Sequence, residues 1–453
     1  MHDLTQGSIY RHLIQMSVPM MIGMFVQGLY LFVDLYFIAG LGAATVAAVS
    51  AASTLMFVSL ALSQMLNIGT VSLIARATGA GDHLQANILF RQCMLISITL
   101  TVATLGLGYV GIDHYMQLVS QDPAVIQAGR EFLQWYLPGL ALTYVSTAIG
   151  AALRAVGVVK PTMLVQLGTV LINILLAPVL IAGWGTGIAM GAAGAGLAST
   201  LAIAIGVAML WLYFRKSDHQ VLDTSAGWRI DLSVWRRIIG IGFPAGAEYG
   251  LMFIFSSLVY VLIKDLGTDV QAAFGIGMRI MQAISLPAIA LSAAIPAIAG
   301  QNLGAKHYDR VRLTFVAALQ MTVVLMAVSM LANQLAAEPL MALFSHNSAV
   351  IAAGVLFIHI ISWNYLTSSI VFCCSGMFQA LGNTWPSLIS SASRLLLFSA
   401  AAVWFSHQPG FRAEHVWVCS ALSVLVQACI SAWFLRREYR LRLPLAAPTM
   451  VGS

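Results

Sequence analysis

Charge is what this chain lacks most. Only 8% of its 453 residues are Asp, Glu, Lys or Arg, whereas soluble domains carry about a quarter. A water-soluble surface cannot be built from that, so a soluble globular protein is excluded. Catalytic signatures are missing as well. There is no GxxxxGK[ST] phosphate loop, so direct drive by ATP has no support. Neither an HExxH metal helix nor a GxSxG nucleophile elbow occurs, and the chain is not expected to be an enzyme. The five cysteines, Cys93, Cys373, Cys374, Cys419 and Cys429, lie within or beside apolar runs. Their spacing suits neither a zinc site nor a disulfide framework. The polar start MHDLTQGSIYRHLIQ leads to no short apolar core with a small-residue cleavage site. The first apolar run therefore reads as a retained helix, not a signal peptide. Alternation over stretches of about ten residues, the mark of a porin-like barrel, is also absent.

What the chain has instead is apolar length. Sixty per cent of residues are hydrophobic, and the runs reach about 20 residues or more, enough to cross roughly 30 Å of hydrocarbon as helices. Twelve spans are predicted, near 12–38, 45–75, 87–111, 127–150, 160–182, 189–214, 236–263, 270–300, 311–334, 350–375, 384–405 and 414–435. The longest polar stretch, Arg215 to Arg237, separates the sixth from the seventh. The expected architecture is an all-α membrane protein of twelve transmembrane helices in two six-helix lobes. The N-terminal lobe is drawn at 1–214, a cytoplasmic linker at 215–235, the C-terminal lobe at 236–440 and a cytoplasmic tail at 441–453.

The halves repeat one another at one fixed offset. The shift that carries Arg11 to Arg236 also carries Pro19 to Pro244, Leu41-Gly42 to Leu266-Gly267 and Gly79-Ala80 to Gly304-Ala305. It carries Ala155, Gly157 and Pro161 to Ala380, Gly382 and Pro386 as well, with no gap. Six spans per half start both halves on the same side of the membrane, which relates them by an axis along its normal. A substrate path between the halves is the expectation that follows. With the N-terminus inside, seventeen of the 22 Lys and Arg residues fall on the cytoplasmic side. This supports both termini in the cytoplasm and a multi-pass protein of the inner membrane. The net charge of +6 is thus a topology signal, and no nucleic-acid partner is expected.

Acids within the spans are scarce, so each is a functional candidate. Asp34 lies about five residues, roughly 7 Å of helix, from the outer end of the first span. A charged acid near mid-membrane costs about 2.5–3.5 kcal/mol on insertion scales. Such a group can exchange a proton or Na⁺ for a cationic ligand; the plainer reading is a structural acid paired with a polar neighbour. Its repeat equivalent is Val259, so the acid belongs to one half alone. Glu248, in GFPAGAEYG, is read either as a second cation site or as an acid snorkelling to the interface. Pro19 and Pro244 occupy matching places and act as hinges or as static kinks. Asn173 and Ser199 are neutral oxygen donors on the fifth and sixth spans. They suit a cation or a network around Asp34, or serve as interhelical glue. Met16, Met20 and Met24 form a stripe that fits an adaptable cavity or ordinary packing. His359 is a candidate proton carrier. Arg279 and Arg394 are expected to reach an interface or pair with carbonyls.

At this point the chain resembles the multidrug and toxic compound extrusion (MATE) family. The matching segments are VDLYFIAGLGAATVAAVSAA, IARATGAGD, ALRAVGVVKP, LINILLAPVLI, GAAGAGLAST, GFPAGAE, QNLGAKHYDRVR and FQALGNTWP, in order along nearly the whole chain. The resemblance implies two six-helix lobes with a V-shaped cleft, and efflux of organic cations against inward flow of H⁺ or Na⁺. It matches the family's acid of the first span to Asp34, its asparagine to Asn173, a hydroxyl to Ser199 and the glutamate of some relatives to Glu248. Ala177 stands where many relatives carry an aspartate, and Ile358 to Phe372 lacks the acid that others use there. Both departures favour H⁺ over Na⁺.

The expected function is a secondary antiporter exporting amphipathic, cationic drugs or metabolites in exchange for H⁺, with Asp34 as coupling acid. The alternative is a flippase for a lipid-linked or amphipathic envelope precursor, which the scarcity of intramembrane cations disfavours. No cofactor is expected beyond the coupling ion. The partners expected are a small amphipathic substrate and the bilayer, with the protein a monomer.

Overall fold

Helix boundaries follow from residues suited to stopping or starting a helix. Gly42 and Gly267, counterparts in the repeat, stand before two helices of 37 residues each with φ of 101° and 103°. Those are backbone angles that an L side chain resists. Asp122 and Asn347, another pair at the same offset, cap helices by accepting from the amides of Ala124 and Ala349, each at 2.9 Å. The repeat is therefore physical as well as textual.

The computed structural model describes residues 3–185, 187–216 and 229–443, apart from the side chains of residues 29–35. Most of the linker drawn at 215–235, and the tail from 444, lie outside the described residues. The rest is almost wholly helical. In order come α1 (Ile9–Ala39), α2 (Ala43–Gly79), α3 (His83–Val119), α4 (Pro123–Ala155), α5 (Lys160–Ala182), α6 (Gly191–Lys216) and α7 (Leu232–Ile263). A short 3₁₀ turn leads to α8 (Thr268–Gly304), α9 (Tyr308–Ala342), α10 (Ser348–Ile361), α11 (Asn364–Leu381), α12 (Trp385–Ser406) and α13 (Ala413–Arg442). Among the described residues ten helices are long and apolar enough to cross a membrane, and α10 with α11 makes an eleventh. Helix α1, at 31 residues, completes the expected twelve. Apolar side chains such as Leu107, Val110 and Leu335 are left exposed, the surface that lipid covers.

One predicted span differs. The tenth was expected as a single helix over 350–375, but it bends by 52° between α10 and α11. Its first-half counterpart, α4, runs on through Pro138. A side chain from another helix meets the break. Gln334 of α9 donates its amide to the His359 carbonyl at 2.9 Å and to the Ser362 hydroxyl at 3.0 Å. It thus satisfies backbone that the break sets free. His359 itself lies exposed at the end of α10.

The chain folds as two compact units. Unit 1 holds Met1–Asp3 and Pro19–Gly242; unit 2 holds Leu4–Val18 and Phe243–Ser453. The lobes drawn from the sequence therefore exchange their opening turns. In unit 2 the Leu4 amide donates to Gln301 at 3.2 Å, Asn302 donates to the Leu4 carbonyl at 3.0 Å, and the Tyr10 hydroxyl donates to Gln320 at 2.6 Å. In unit 1 the indole of Trp235, the repeat counterpart of Tyr10, donates to Gln92 at 2.8 Å. The methionine stripe is split by this exchange, with Met16 buried in unit 2 and Met20 and Met24 half-buried in unit 1.

In unit 1, α4 packs on α2, α3 and α6, while α5 packs on α6. Small residues make this possible: a Cβ on Gly194 would strike the Leu180 carbonyl, and one on Gly196 the Phe132 carbonyl. The opening turns of α7 lie as close to α2, since a Cβ on Gly242 would collide with the Met65 carbonyl oxygen. The core of unit 2 is aromatic. Phe274 stacks on Trp417 at 5.4 Å and Phe357 meets Trp417 edge-on at 4.9 Å.

Gly242→Ala is expected to destabilise unit 1 by about 1–3 kcal/mol through overpacking. Gly240→Ala, at a position with open space around it, should leave the thermal midpoint in detergent unchanged. Equal midpoints for the two variants would refute the close α2–α7 contact.

Candidate functional site

Two helix seams, one in each unit, carry most of the predicted site residues. In unit 1, Gln166 of α5 donates its amide to the Gln27 side chain of α1 at 3.2 Å. Seven residues further along each helix stand Asp34 and Asn173. As the first and fifth successive spans, α1 and α5 run in the same direction, and a step of seven is close to two full turns, so register places these two positions at one level of the seam. The side chain of Asp34 lies outside the described residues. Asn173 is completely buried. Its amide donates to the Ser199 hydroxyl of α6 at 3.3 Å, and its carbonyl oxygen is enclosed with no hydrogen-bond partner. Ser199 is buried too. The two neutral donors predicted for neighbouring helices are thus brought together, with one oxygen left over.

Unit 2 repeats the seam in the same register. The Glu248 carboxylate of α7 accepts a hydrogen bond from the Ser387 hydroxyl of α12, and Ser387 lies 3.2 Å from the Ser375 hydroxyl of α11. Glu248 is half-buried, and its Oε1 is enclosed without a partner. Seven residues on, the Arg394 guanidinium of α12 lies over the Phe255 ring of α7, 4.5 Å from its centroid. Arg394 was expected at an interface or on carbonyls; its contact is an aromatic face. Both pairs have the same separation in sequence as Gln27 and Gln166, and two contacts seven residues apart on each helix make α7 and α12 parallel. Two ion pairs occur among the described residues, Arg130 with Asp113 at 3.2 Å and Arg442 with Glu438 at 2.7 Å. Neither involves Glu248 or Arg394.

The prolines sit at the borders of the units. Membership changes between Val18 and Pro19 in α1, and between Gly242 and Phe243, next to Pro244, in α7. Both helices continue through their proline. Among the described residues no three His, Cys, Asp or Glu side chains are grouped to hold a metal. A separate depression of about 720 Å³ opens at the starts of α3 and α7, lined by Arg91, Gln92, Arg229 and Asp231 among others. The Ser233 hydroxyl donates to Asp231 at 2.6 Å and holds that carboxyl below its ordinary value. None of the predicted site residues lines this depression.

The MatE family model matches residues 19–179 and 244–404. The second match begins and ends at the repeat counterparts of the first. The chain belongs to the MatE family. This MATE chain is 23% identical over 398 residues to a protein of Shewanella oneidensis called FAD transporter, covering 87% of the chain and 88% of the relative. It is 24% identical over 385 residues to the multidrug export protein MepA of Staphylococcus haemolyticus, covering 83% and 82%. Its fold matches that of a MOP superfamily transporter from Pyrococcus furiosus with a TM-score of 0.88 at 22% identity, covering 98% of both chains. The family is one of multidrug efflux transporters, not enzymes, and this MATE protein is a helical membrane protein of that kind.

Sequence reasoning missed the partners of Glu248 and Arg394. Ser387 and Phe255 carry no motif. The usable signal was the repeat itself: once Gln27 and Gln166 are seen to meet, the same separation transfers to α7 and α12.

Ser199→Ala removes the acceptor of a buried amide donor and is expected to destabilise this MATE protein by about 1–3 kcal/mol. Ser393→Ala, where the hydroxyl bonds only the Ile389 carbonyl of its own helix, serves as the control and should change little. Identical thermal midpoints for both would contradict the pairing of Asn173 with Ser199.

Proposed function

We propose that this MATE protein is an H⁺-coupled antiporter exporting amphipathic, cationic drugs or metabolites, with Asp34 as coupling acid. The observation that supports the reading best is the enclosed, unpartnered carbonyl oxygen of Asn173, at the seam level to which register assigns Asp34. A buried acceptor without a donor is unfavourable unless something visits it. A protonated carboxyl at position 34 would be such a donor; the ionised form would repel it. Protonation of Asp34 from outside then alters the hydrogen bonding of α1 and releases the cation outward. Deprotonation inside resets the site.

Glu248 serves in this reading as a second titratable group, steadied by Ser387 and with one oxygen that has no partner. Pro19 and Pro244, each beside a border between units, are the proposed hinges. Coupling to Na⁺ is the weaker choice, because Ala177 supplies no second carboxylate beside Asn173. Both termini are placed in the cytoplasm by the distribution of Lys and Arg. The protein is placed in the inner membrane and works as a monomer. Relatives described as exporters favour export over flipping of an envelope precursor. A second reading, export of an anionic flavin-like metabolite, rests on the likeness to the FAD transporter of Shewanella oneidensis.

The test is movement of ethidium across proteoliposomes under a proton gradient or a Na⁺ gradient imposed separately, for wild type and Asp34→Asn. Proton-driven transport that falls to the level of empty liposomes in Asp34→Asn is the expected result. Transport driven by Na⁺ alone, or wild-type rates in Asp34→Asn, would overturn the proposal.

A further inference from the structure

Unit 2 holds two opposite charges in one helix seam that do not pair with each other. Glu248 and Arg394 lie on facing helices that run parallel, and each contacts the facing helix seven residues apart, at Ser387 and at Phe255. Seven residues of helix rise about 10 Å, which is the separation of the two contacts along the seam. Two charges retained only to hold the lobe together would neutralise one another at short range, because an isolated charge in hydrocarbon surroundings is expensive. These do not, and each keeps an enclosed polar atom unused: Oε1 of Glu248 and Nε of Arg394.

The surroundings of Arg394 are those of a recognition group. Its contact among the described residues is the face of Phe255, which orients the guanidinium plane and leaves its donors unclaimed. Phe255 is joined at 4.7 Å by Phe398, so the cation rests against an aromatic wall. Arg394 is half-buried and not sealed, so a ligand entering the seam can reach it. The equivalent position in unit 1 is Thr169, whose hydroxyl bonds the Val165 carbonyl of its own helix at 2.9 Å. The cation is therefore a departure of one half from the repeat, as Asp34 is of the other.

We infer that the α7–α12 seam is an anion-recognition subsite for the transported molecule, in which Arg394 binds a carboxylate or phosphate of an aromatic amphiphile. Glu248, two turns along, faces the cationic or hydrogen-bond-donating part of the same molecule. The inference deepens the export reading given above and rests on it for calling the ligand a substrate. It widens the substrate class from simple organic cations to zwitterions and acids with a flat apolar body. A bidentate, charge-assisted contact of this kind contributes about 1.5–3 kcal/mol, roughly ten- to a hundredfold in affinity.

The test uses rhodamine B, a xanthene cation that carries a free carboxylate, and its ethyl ester, the same cation without the acid. Equilibrium binding of each dye to detergent-purified protein is read by fluorescence anisotropy for wild type, Arg394→Gln and Arg394→Lys. Arg394→Gln should weaken rhodamine B at least about tenfold and leave the ester within about twofold, with Arg394→Lys between wild type and Gln. Equal loss for both dyes, no loss for either, or no binding of rhodamine B to wild type would each overturn the subsite. Thermal midpoints of the variants distinguish a misfolded protein, and Phe255→Leu supplies a second perturbation that leaves the charge in place. It should weaken rhodamine B more than its ester. Ethidium movement in proteoliposomes, which has no acid to offer Arg394, reports on the export reading independently.

Discussion

Hydrocarbon offers no hydrogen bonds, and everything particular about this molecule follows from that. Backbone groups are satisfied inside helices, so the described residues are helical nearly throughout. Polar side chains within the spans have two fates, either a partner found on a neighbouring helix or a polar atom held open. Most take the first, as Asn333 does with the Tyr365 hydroxyl at 2.8 Å and Gln427 with Ser391 at 3.1 Å. Among those that take the second are Asn173 in unit 1, and Glu248 and Arg394 in unit 2. Of the residues with such an atom, these three lie in the two seams.

The repeat provides a scaffold against which specialisation can be measured. The paired glycines before α2 and α8, and the paired caps Asp122 and Asn347, show that the two halves solve local folding problems in the same way. At the α1–α5 and α7–α12 seams the backbone arrangement is likewise shared, since both are in the same register. The chemistry is not shared. One seam carries an acid position beside a buried amide, and the other a glutamate and an arginine at different depths. Equal frames with unequal contents are what the proposed division of ion and substrate between the lobes requires.

Much of the fold was legible because it depends on local or periodic quantities. Apolar run length gave the twelve spans, and a constant offset gave the two halves. The bend between α10 and α11 was not legible, because the group that satisfies it, Gln334, reaches across from α9. The exchange of opening turns was hidden for a similar reason, being settled by Gln92, Gln301 and Gln320, far away in sequence. The site divides along the same line. Asn173 and Ser199 could be picked out as scarce polar residues in successive spans. The Arg394 contact could not, because its partner is an apolar ring that no search for charge complements would select. Asp34 was identified from the sequence, and its side chain lies outside the described residues.

The exchange of opening turns bears on how the protein is made. Unit 1 is incomplete until Leu232 to Gly242 have been synthesised, although its other helices end at Lys216. Unit 2 uses Leu4 to Val18, which are made well before the rest of that unit and must wait through the synthesis of unit 1 for the helices they join. Neither lobe can close on its own half of the chain. Either half expressed alone would lack the opening turns that its unit takes from the other, so the two halves form a single folding problem.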